Sequence, residues 1–269
     1  MPYRSLSHIL QRCLSGLAML GLALLVLPPA QAEPPPTVAA AADLKFALEE
    51  IAARFQREHG QRVQLSFGSS GNFARQIAQG APFQLFLSAD EGYVQELARQ
   101  GRTAGEGVLY AEGRLALYAL KDAPLAVDGE LQGLAAALDD GRLTRLAIAN
   151  PEHAPYGRAA REALQRAGLW ERLQERLVLG ENAAQAAQFV VSGNAQAGLI
   201  PYALALAPQL AERGQSALIP ADRHAPLRQR MVLMPGAGAT ARAFYDYLQT
   251  PAARDVLRRY GFLLPGEGG

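Results

Sequence analysis

The sequence predicts an α/β fold of two lobes, each a mainly parallel sheet flanked by helices, joined by two crossing strands. Apolar strand-like segments alternate with amphipathic helical ones along the chain, which excludes a β-sandwich. The strand-to-helix junctions form two groups, separated by an extended segment at 114–120. A second extended segment at 230–235 would return the chain to the first lobe. We expect lobe 1 to contain residues 33–114 and 230–269, and lobe 2 to contain residues 115–229.

Residues 1–32 have the pattern of a signal peptide. Arg4 and Arg12 give a positive start, residues 14–27 are apolar and uncharged, and a small-x-small sequence ends at Ala32. The apolar run is shorter than the roughly 20 residues that a spanning helix needs. We therefore expect cleavage after Ala32 and export to the periplasm.

Composition narrows the possible functions of the exported chain. Cys13 is the only cysteine and lies in the signal peptide, which excludes disulfides, cysteine metal sites and thiol catalysis. The formal net charge of the full chain is +1, so nucleic acid and anionic lipid are poor candidate partners. His59, His153 and His224 show no metal-ligand spacing, and we interpret each as a surface or structural residue.

Lobe 1 begins with two strand-to-helix junctions of the same kind. Strand 37–42 runs into a helix that ends at Gly60, and Asp43 stands where its N-cap belongs. The apolar residues of this helix recur at helical spacing, and they are Leu44, Leu48, Ile51 and Phe55. An alternating strand at 63–67 then leads into a helix that ends at Gly80. In a parallel sheet such junctions lie at one edge, where open α/β folds bind ligands.

The loop of the second junction, residues 68–71, is the strongest candidate for a binding site. Its sequence, Gly-Ser-Ser-Gly, puts two hydroxyls and several unpaired backbone N–H groups at the positive end of a helix. Helix starts of this kind bind oxyanions without a lysine or arginine. The alternative is that Ser70 only caps its helix, as serine often does.

The later elements continue the alternation. Asp90 is expected to cap a helix, Tyr156 and Gly157 open another, and Asn182 caps a third. Other predicted strands are 83–89, 145–149 and 198–202, and other predicted helices are 131–138, 241–248 and 252–260. The helix starts thus fall in two groups, one in each lobe. Lobes joined by two extended crossings form a hinge that can close on a small anion.

Six segments, in order, resemble the periplasmic molybdate-binding proteins of ABC transporters. They are AADLKFALEE (41–50), FGSSG (67–71), QIAQGAP (76–82), FLSAD (86–90), ANPEHAPYG (149–157) and GENAAQA (180–186). The resemblance covers essentially the whole exported chain. It implies a type II periplasmic solute-binding fold that holds molybdate or tungstate through uncharged donors. It also implies a monomer without a cofactor, which delivers the anion to a membrane permease with a cytoplasmic ATPase.

The resemblance also implies which positions bind the oxyanion. The family's contacts fall at Ala42, Asp43, Ser70, Tyr156 and Ala183, the last through its backbone N–H. A tyrosine that some members use corresponds to Pro201, with Tyr202 beside it, so that contact is not carried over.

Asp43 departs from the family pattern, because relatives commonly have serine, threonine or asparagine there. A carboxylate facing a dianion would repel it strongly. We expect the Asp43 side chain to turn back and cap the first helix, so that backbone N–H groups face the anion. Alternatively, it accepts a hydrogen bond from a neighbouring hydroxyl, or the ligand differs from that of the family.

Two other functional classes remain open. One is a receptor for another small anion, such as sulfate, thiosulfate or a small organic acid. The other is a secreted serine hydrolase, which fits poorly because residues 68–71 lack the G-x-S-x-G spacing and His153 is assigned to the other lobe. Arg75 and Arg158 lie a turn or so into their helices, and we expect both to be solvated.

Overall fold

The strands form two five-stranded sheets in a computed structural model that describes residues 34–266. The predicted signal peptide, 1–32, lies outside the described residues. The strands are β1 (Thr37–Ala41), β2 (Gln64–Gly68), β3 (Leu85–Ser88), β4 (Val108–Gly113), β5 (Leu115–Leu120), β6 (Leu146–Ala149), β7 (Leu177–Gly180), β8 (Ala197–Pro201), β9 (Gly214–Leu218) and β10 (Leu227–Leu233).

Helices connect most of these strands and cover the sheets. They are α1 (Lys45–His59), α2 (Ser70–Ala78), α3 (Glu91–Arg99), α4 (Gln132–Asp139), α5 (Pro155–Arg166), α6 (Trp170–Leu173), α7 (Ala183–Val191), α8 (Tyr202–Ala205), α9 (Pro208–Ala211), α10 (Ala239–Tyr247) and α11 (Pro251–Arg259). Short 3-10 turns occur at Ala42–Leu44, Gln174–Arg176 and Ala221–Arg223. Within residues 34–266, no helix combines the length and apolar character needed to cross a bilayer.

The two sheets share one design. The first has the order β2-β1-β3-β10-β4 and the second β7-β6-β8-β5-β9. In each sheet three neighbouring strands run parallel, and the fourth strand is antiparallel to both of its neighbours. The predicted two-lobed α/β fold is therefore confirmed, with mixed sheets in both lobes.

The segments predicted to cross between the lobes each belong to one sheet. β5 lies wholly in the second sheet, and the chain enters it directly from β4 through Arg114. β10 lies wholly in the first sheet, where Leu227 pairs with Gly113. The return crossing is thus the stretch between β9 and β10, and the boundary that we placed at 229/230 falls inside β10. Alternating apolar residues identify a strand, but they do not indicate which sheet it joins.

The first strand shows how the core places the site. β1 alternates between the two faces of its sheet: Val38 and Ala40 pack with α1, whereas Ala39 packs on the opposite face with Phe73 and Phe86. Because β1, β2 and β3 are parallel, their carboxyl ends meet at one edge. The residues that follow these strands are thereby brought side by side.

Three helix starts test the predicted N-caps. Asp90 accepts the Gly92 N–H at 2.8 Å and Asn182 accepts the Gln185 N–H at 3.1 Å, so both caps are confirmed. The alternative that Ser70 only caps its helix is wrong, because the N-cap of α2 is the preceding residue, Ser69, and Ser70 is the first helical residue.

Candidate functional site

A small pocket lies where the first sheet's strand ends meet the helix starts of the second lobe. Its cavity volume is about 10 Å³, roughly the space that one water molecule needs. The pocket is lined by Ala41, Ala42, Asp43, Gly68, Ser69, Ser70, Ala89, Ala154, Pro155, Tyr156 and Ala183. All five residues predicted from the family resemblance are among them.

Ser70 contributes two donors from the first lobe. It is fully buried, and its Oγ accepts the Ala89 backbone N–H at 2.9 Å. A hydroxyl that accepts one hydrogen bond still has its own proton to donate. As the first residue of α2, Ser70 also has a backbone N–H without an intrahelical acceptor.

The second lobe contributes two further helix starts. Tyr156 is the second residue of α5, and Ala183 is the first residue of α7. The first N–H groups of both helices have no intrahelical acceptor, and the helix dipoles place partial positive charge there. Gly157 lets the start of α5 approach the end of β6, since a Cβ at this position would lie 2.2 Å from the Ala149 carbonyl oxygen.

Asp43 does not cap α1, and that expectation is wrong. It lies inside the 3-10 turn Ala42–Leu44, which precedes α1 and turns the side chain toward β10. The residue is 2% exposed, and its Oδ2 accepts the Gln229 Nε2–H at 2.5 Å. Its Oδ1 has no hydrogen-bond partner among the residues that the structure describes.

Gln229 and Tyr110 are site residues that sequence reasoning missed. The Tyr110 hydroxyl donates to Gln229 Oε1 at 2.6 Å, which leaves the amide Nε2 to donate to Asp43. The same Nε2 is 3.4 Å from the Tyr156 hydroxyl. A signal was present in the sequence, because Gln229 occupies an inward position of β10 between Leu227 and Met231.

Burial dominates the electrostatics of this cluster. It raises the pKa of the Asp43 carboxyl to about 6, although the Gln229 amide and the Tyr156 hydroxyl act in the opposite direction. Burial and the nearby Asp43 charge hold the pKa values of Tyr110 and Tyr156 well above their usual range. Both phenols therefore remain protonated and able to donate at neutral pH.

Polar contacts between the lobes close the rim of the pocket. The Gly71 N–H donates to the His153 carbonyl oxygen at 3.0 Å, and His153 Nδ1 is 3.0 Å from Ser69 Oγ. His153 Nε2 lies 3.6 Å from Glu181 Oε1, which also accepts from Asn72 at 2.5 Å. The assignment of His153 to the opposite lobe therefore did not keep it away from the serine loop, because the two lobes meet there.

The two arginines considered above have different environments. Arg75 is exposed, as expected, and pairs with Asn72. Arg158 is half-buried instead of fully solvated: its guanidinium pairs with Asp90 and donates to the Tyr93 hydroxyl at 2.9 Å. This contact also joins the two lobes, because Arg158 belongs to α5 and Asp90 caps α3.

The remaining candidates lie outside the pocket lining. Tyr202 begins α8, where its ring lies 4.9 Å from the Arg114 guanidinium. His59 packs against the ring of Phe55, and His224 is buried with its Nδ1 2.8 Å from the Ala225 carbonyl oxygen. Within residues 34–266, no three His, Asp or Glu side chains are arranged to hold a bare metal ion.

Comparisons with known proteins agree with this architecture. A family model described as bacterial extracellular solute-binding protein matches residues 36–263. The chain belongs to this family. The molybdate-binding protein ModA of Rhodobacter capsulatus is 37% identical over 228 residues, which cover 84% of this solute-binding protein and 86% of that one. ModA of Azotobacter vinelandii is also 37% identical over 228 residues, covering 84% and 88%.

A solved structure supports the same placement of this solute-binding protein. The periplasmic molybdate-binding protein of Azotobacter vinelandii superimposes with a TM-score of 0.78 at 31% identity. The match covers 86% of this chain and 99% of that one. The family and these relatives are described as solute-binding or molybdate-binding proteins.

Proposed function

We propose that this chain is the substrate-binding component of an ABC importer and that it binds molybdate or tungstate. The observation that carries the proposal is the meeting of Ala42, Asp43, Ser70, Tyr156 and Ala183 in one small pocket. These residues come from both lobes, and the ModA relatives match over most of the chain. The oxyanion would be held through its oxygen atoms, without direct coordination of the metal.

Neutral hydrogen-bond donors are sufficient for the affinity that a transport receptor needs for its oxyanion. The candidate donors are the hydroxyls of Ser70 and Tyr156 and the first N–H groups of α2, α5, α7 and the 3-10 turn. A hydrogen bond to a charged group contributes roughly 1.5–3 kcal/mol, so about six bonds supply nanomolar-to-micromolar binding after the cost of association. Binding without a buried cation also allows release to a transporter.

The cellular role follows from the same family. Export through the cleaved segment 1–32 would place the chain in the periplasm as a monomer that needs no cofactor. Its partner would be an inner-membrane permease with a cytoplasmic ATPase. Sulfate or thiosulfate receptors are the nearest alternative, because a pocket of neutral donors accepts any small tetrahedral dianion of suitable size.

One contact favours a second candidate, a serine hydrolase. At the rim of the pocket, the His153 ring lies between Ser69 Oγ, which is near its Nδ1, and the Glu181 carboxylate, which is near its Nε2. Ser69 Oγ, however, also accepts the Asn72 N–H as the N-cap of α2, which engages it in holding the helix start. We therefore interpret the three residues as a contact that joins the lobes.

Calorimetry of the exported chain distinguishes these possibilities. The ligands are molybdate, tungstate, sulfate, thiosulfate and phosphate, and we expect molybdate and tungstate to bind most tightly. At 100 times its Kd, a ligand should add about 2.7 kcal/mol of stability in a parallel thermal unfolding experiment. Binding of sulfate or thiosulfate alone would support the alternative receptor, and no binding of any oxyanion would refute the proposal. Hydrolysis of a simple aryl ester that Ser69→Ala abolishes would support the hydrolase.

A further inference from the structure

The pocket contains one acceptor that a fully deprotonated oxyanion cannot use. Asp43 Oδ1 is buried in the pocket lining and has no hydrogen-bond partner among residues 34–266. An oxygen of an ionised carboxylate can only accept, and every oxygen of a fully deprotonated oxyanion can only accept as well. Two such oxygens repel unless a proton lies between them.

The surrounding hydrogen bonds determine where that proton can reside. Tyr110 donates to Gln229 Oε1, which orients Gln229 Nε2 as a donor to Asp43 Oδ2. Oδ2 is therefore an acceptor in either protonation state of the carboxyl group. A proton bound to Asp43 must sit on Oδ1, the oxygen without a partner, from which it can be donated to a ligand.

We propose that Asp43 binds the oxyanion as a neutral carboxylic acid whose Oδ1–H donates a hydrogen bond to a ligand oxygen, so that the protein takes up one proton for each dianion that it binds. The proton comes from solvent, no bond in the oxyanion breaks, and the complex carries one negative charge less than it would with an ionised Asp43. This inference rests on the proposed function and defines how the same site is regulated by pH.

The charges around Asp43 leave it without a cationic partner in the described region. The titratable groups that face it are the phenols of Tyr110 from β4 and Tyr156 from α5. The charged side chains of adjoining elements pair elsewhere: Lys45 pairs with Glu49, Arg158 with Asp90, and both Arg228 and Arg230 with Glu91. The His153 ring contacts Ser69 and Glu181 instead of Asp43. Helix α7 has no titratable residue, and the only one in α8 is Tyr202, whose ring faces Arg114.

Proton uptake makes binding depend on pH in a definite direction. The pKa of the Asp43 carboxyl is about 6 without ligand, and a bound dianion raises this pKa further because like charges repel. Above pH 6, the free protein must gain a proton to bind. Affinity for molybdate should therefore fall about tenfold for each pH unit, or about 100-fold between pH 6.5 and pH 8.5.

The test is calorimetry with molybdate at pH 6.5, 7.5 and 8.5, in two buffers of different ionisation enthalpy. The difference in heat between the buffers counts the protons taken up. For the wild type we expect close to one proton per molybdate at pH 7.5 and above. Asp43→Asn, whose amide can donate without titrating, should take up none, keep one affinity across the range and bind more tightly than the wild type at pH 8.5.

A matched control is Asp139→Asn, because Asp139 is an exposed carboxylate that pairs with Arg172 away from the pocket. It should keep the wild-type pH dependence. Tight wild-type binding that does not change with pH and takes up no proton would overturn this inference and leave the proposed function standing. If neither the wild type nor Asp43→Asn binds any oxyanion although both unfold cooperatively, the proposed function fails and this inference fails with it.

Discussion

Replacing Ser70 by alanine is the most direct test of the neutral-donor pocket. The substitution removes a hydroxyl whose oxygen accepts the Ala89 N–H and whose proton is available to the anion. A lost hydrogen bond to a charged group costs about 1.5–3 kcal/mol, which corresponds to binding weaker by about 10- to 150-fold. The Ala89 N–H also loses its acceptor in a buried position, which should lower the free energy of unfolding by about 1–3 kcal/mol.

The two effects are measured separately, by calorimetric titration with molybdate and by urea unfolding without ligand. Ser88→Ala is the matched control, because Ser88 is also fully buried in lobe 1 but does not line the pocket. Its hydroxyl donates to the Asp90 carbonyl oxygen at 2.7 Å, so the control should lose stability while keeping its affinity. Wild-type affinity in a folded Ser70→Ala protein would refute the reasoning.

Two further predictions concern lobe closure and stability. A Cβ at Gly71 would lie 2.6 Å from the His153 carbonyl oxygen, so Gly71→Ala should keep the lobes from meeting there. We expect molybdate binding weaker by about tenfold or more and a larger radius of gyration in small-angle scattering. An unchanged radius of gyration and Kd would contradict this. Without ligand, Asp43 should stabilise the fold less as pH rises from 4 to above 6, since its pKa of about 6 exceeds the ordinary 3.8. The loss is about 3 kcal/mol, and urea unfolding of Asp43→Asn should not show it.

Several helix starts around the pocket could be predicted from local sequence. Asn182 and Asp90 were identified as helix caps because cap residues stand immediately before an amphipathic segment. Ser70 could be placed at the start of α2, although the cap itself is Ser69. These features depend on residues within one turn of each other, where spacing alone determines the geometry.

Contacts between distant segments could not be predicted in this way. Gln229 reaches Asp43 across 186 residues of sequence, and His153 reaches Ser69 across 84. Periodicity showed that β10 is a strand, but the neighbours of an inward side chain depend on which sheet the strand joins and in what register. For that reason the Asp43 carboxyl was expected at the helix start and is found against β10.

The sequence by itself determined the order of strands and helices along the chain and the two groups of helix starts, because these follow from hydrophobic period and capping chemistry. The five predicted pocket residues as a set came from the family resemblance. Only the tertiary structure decided how Asp43 is buried, which of its oxygens has a partner and how the lobes meet at His153. Those outcomes depend on desolvation and hydrogen bonding between residues far apart in the chain, which arise only when the two sheets are in place.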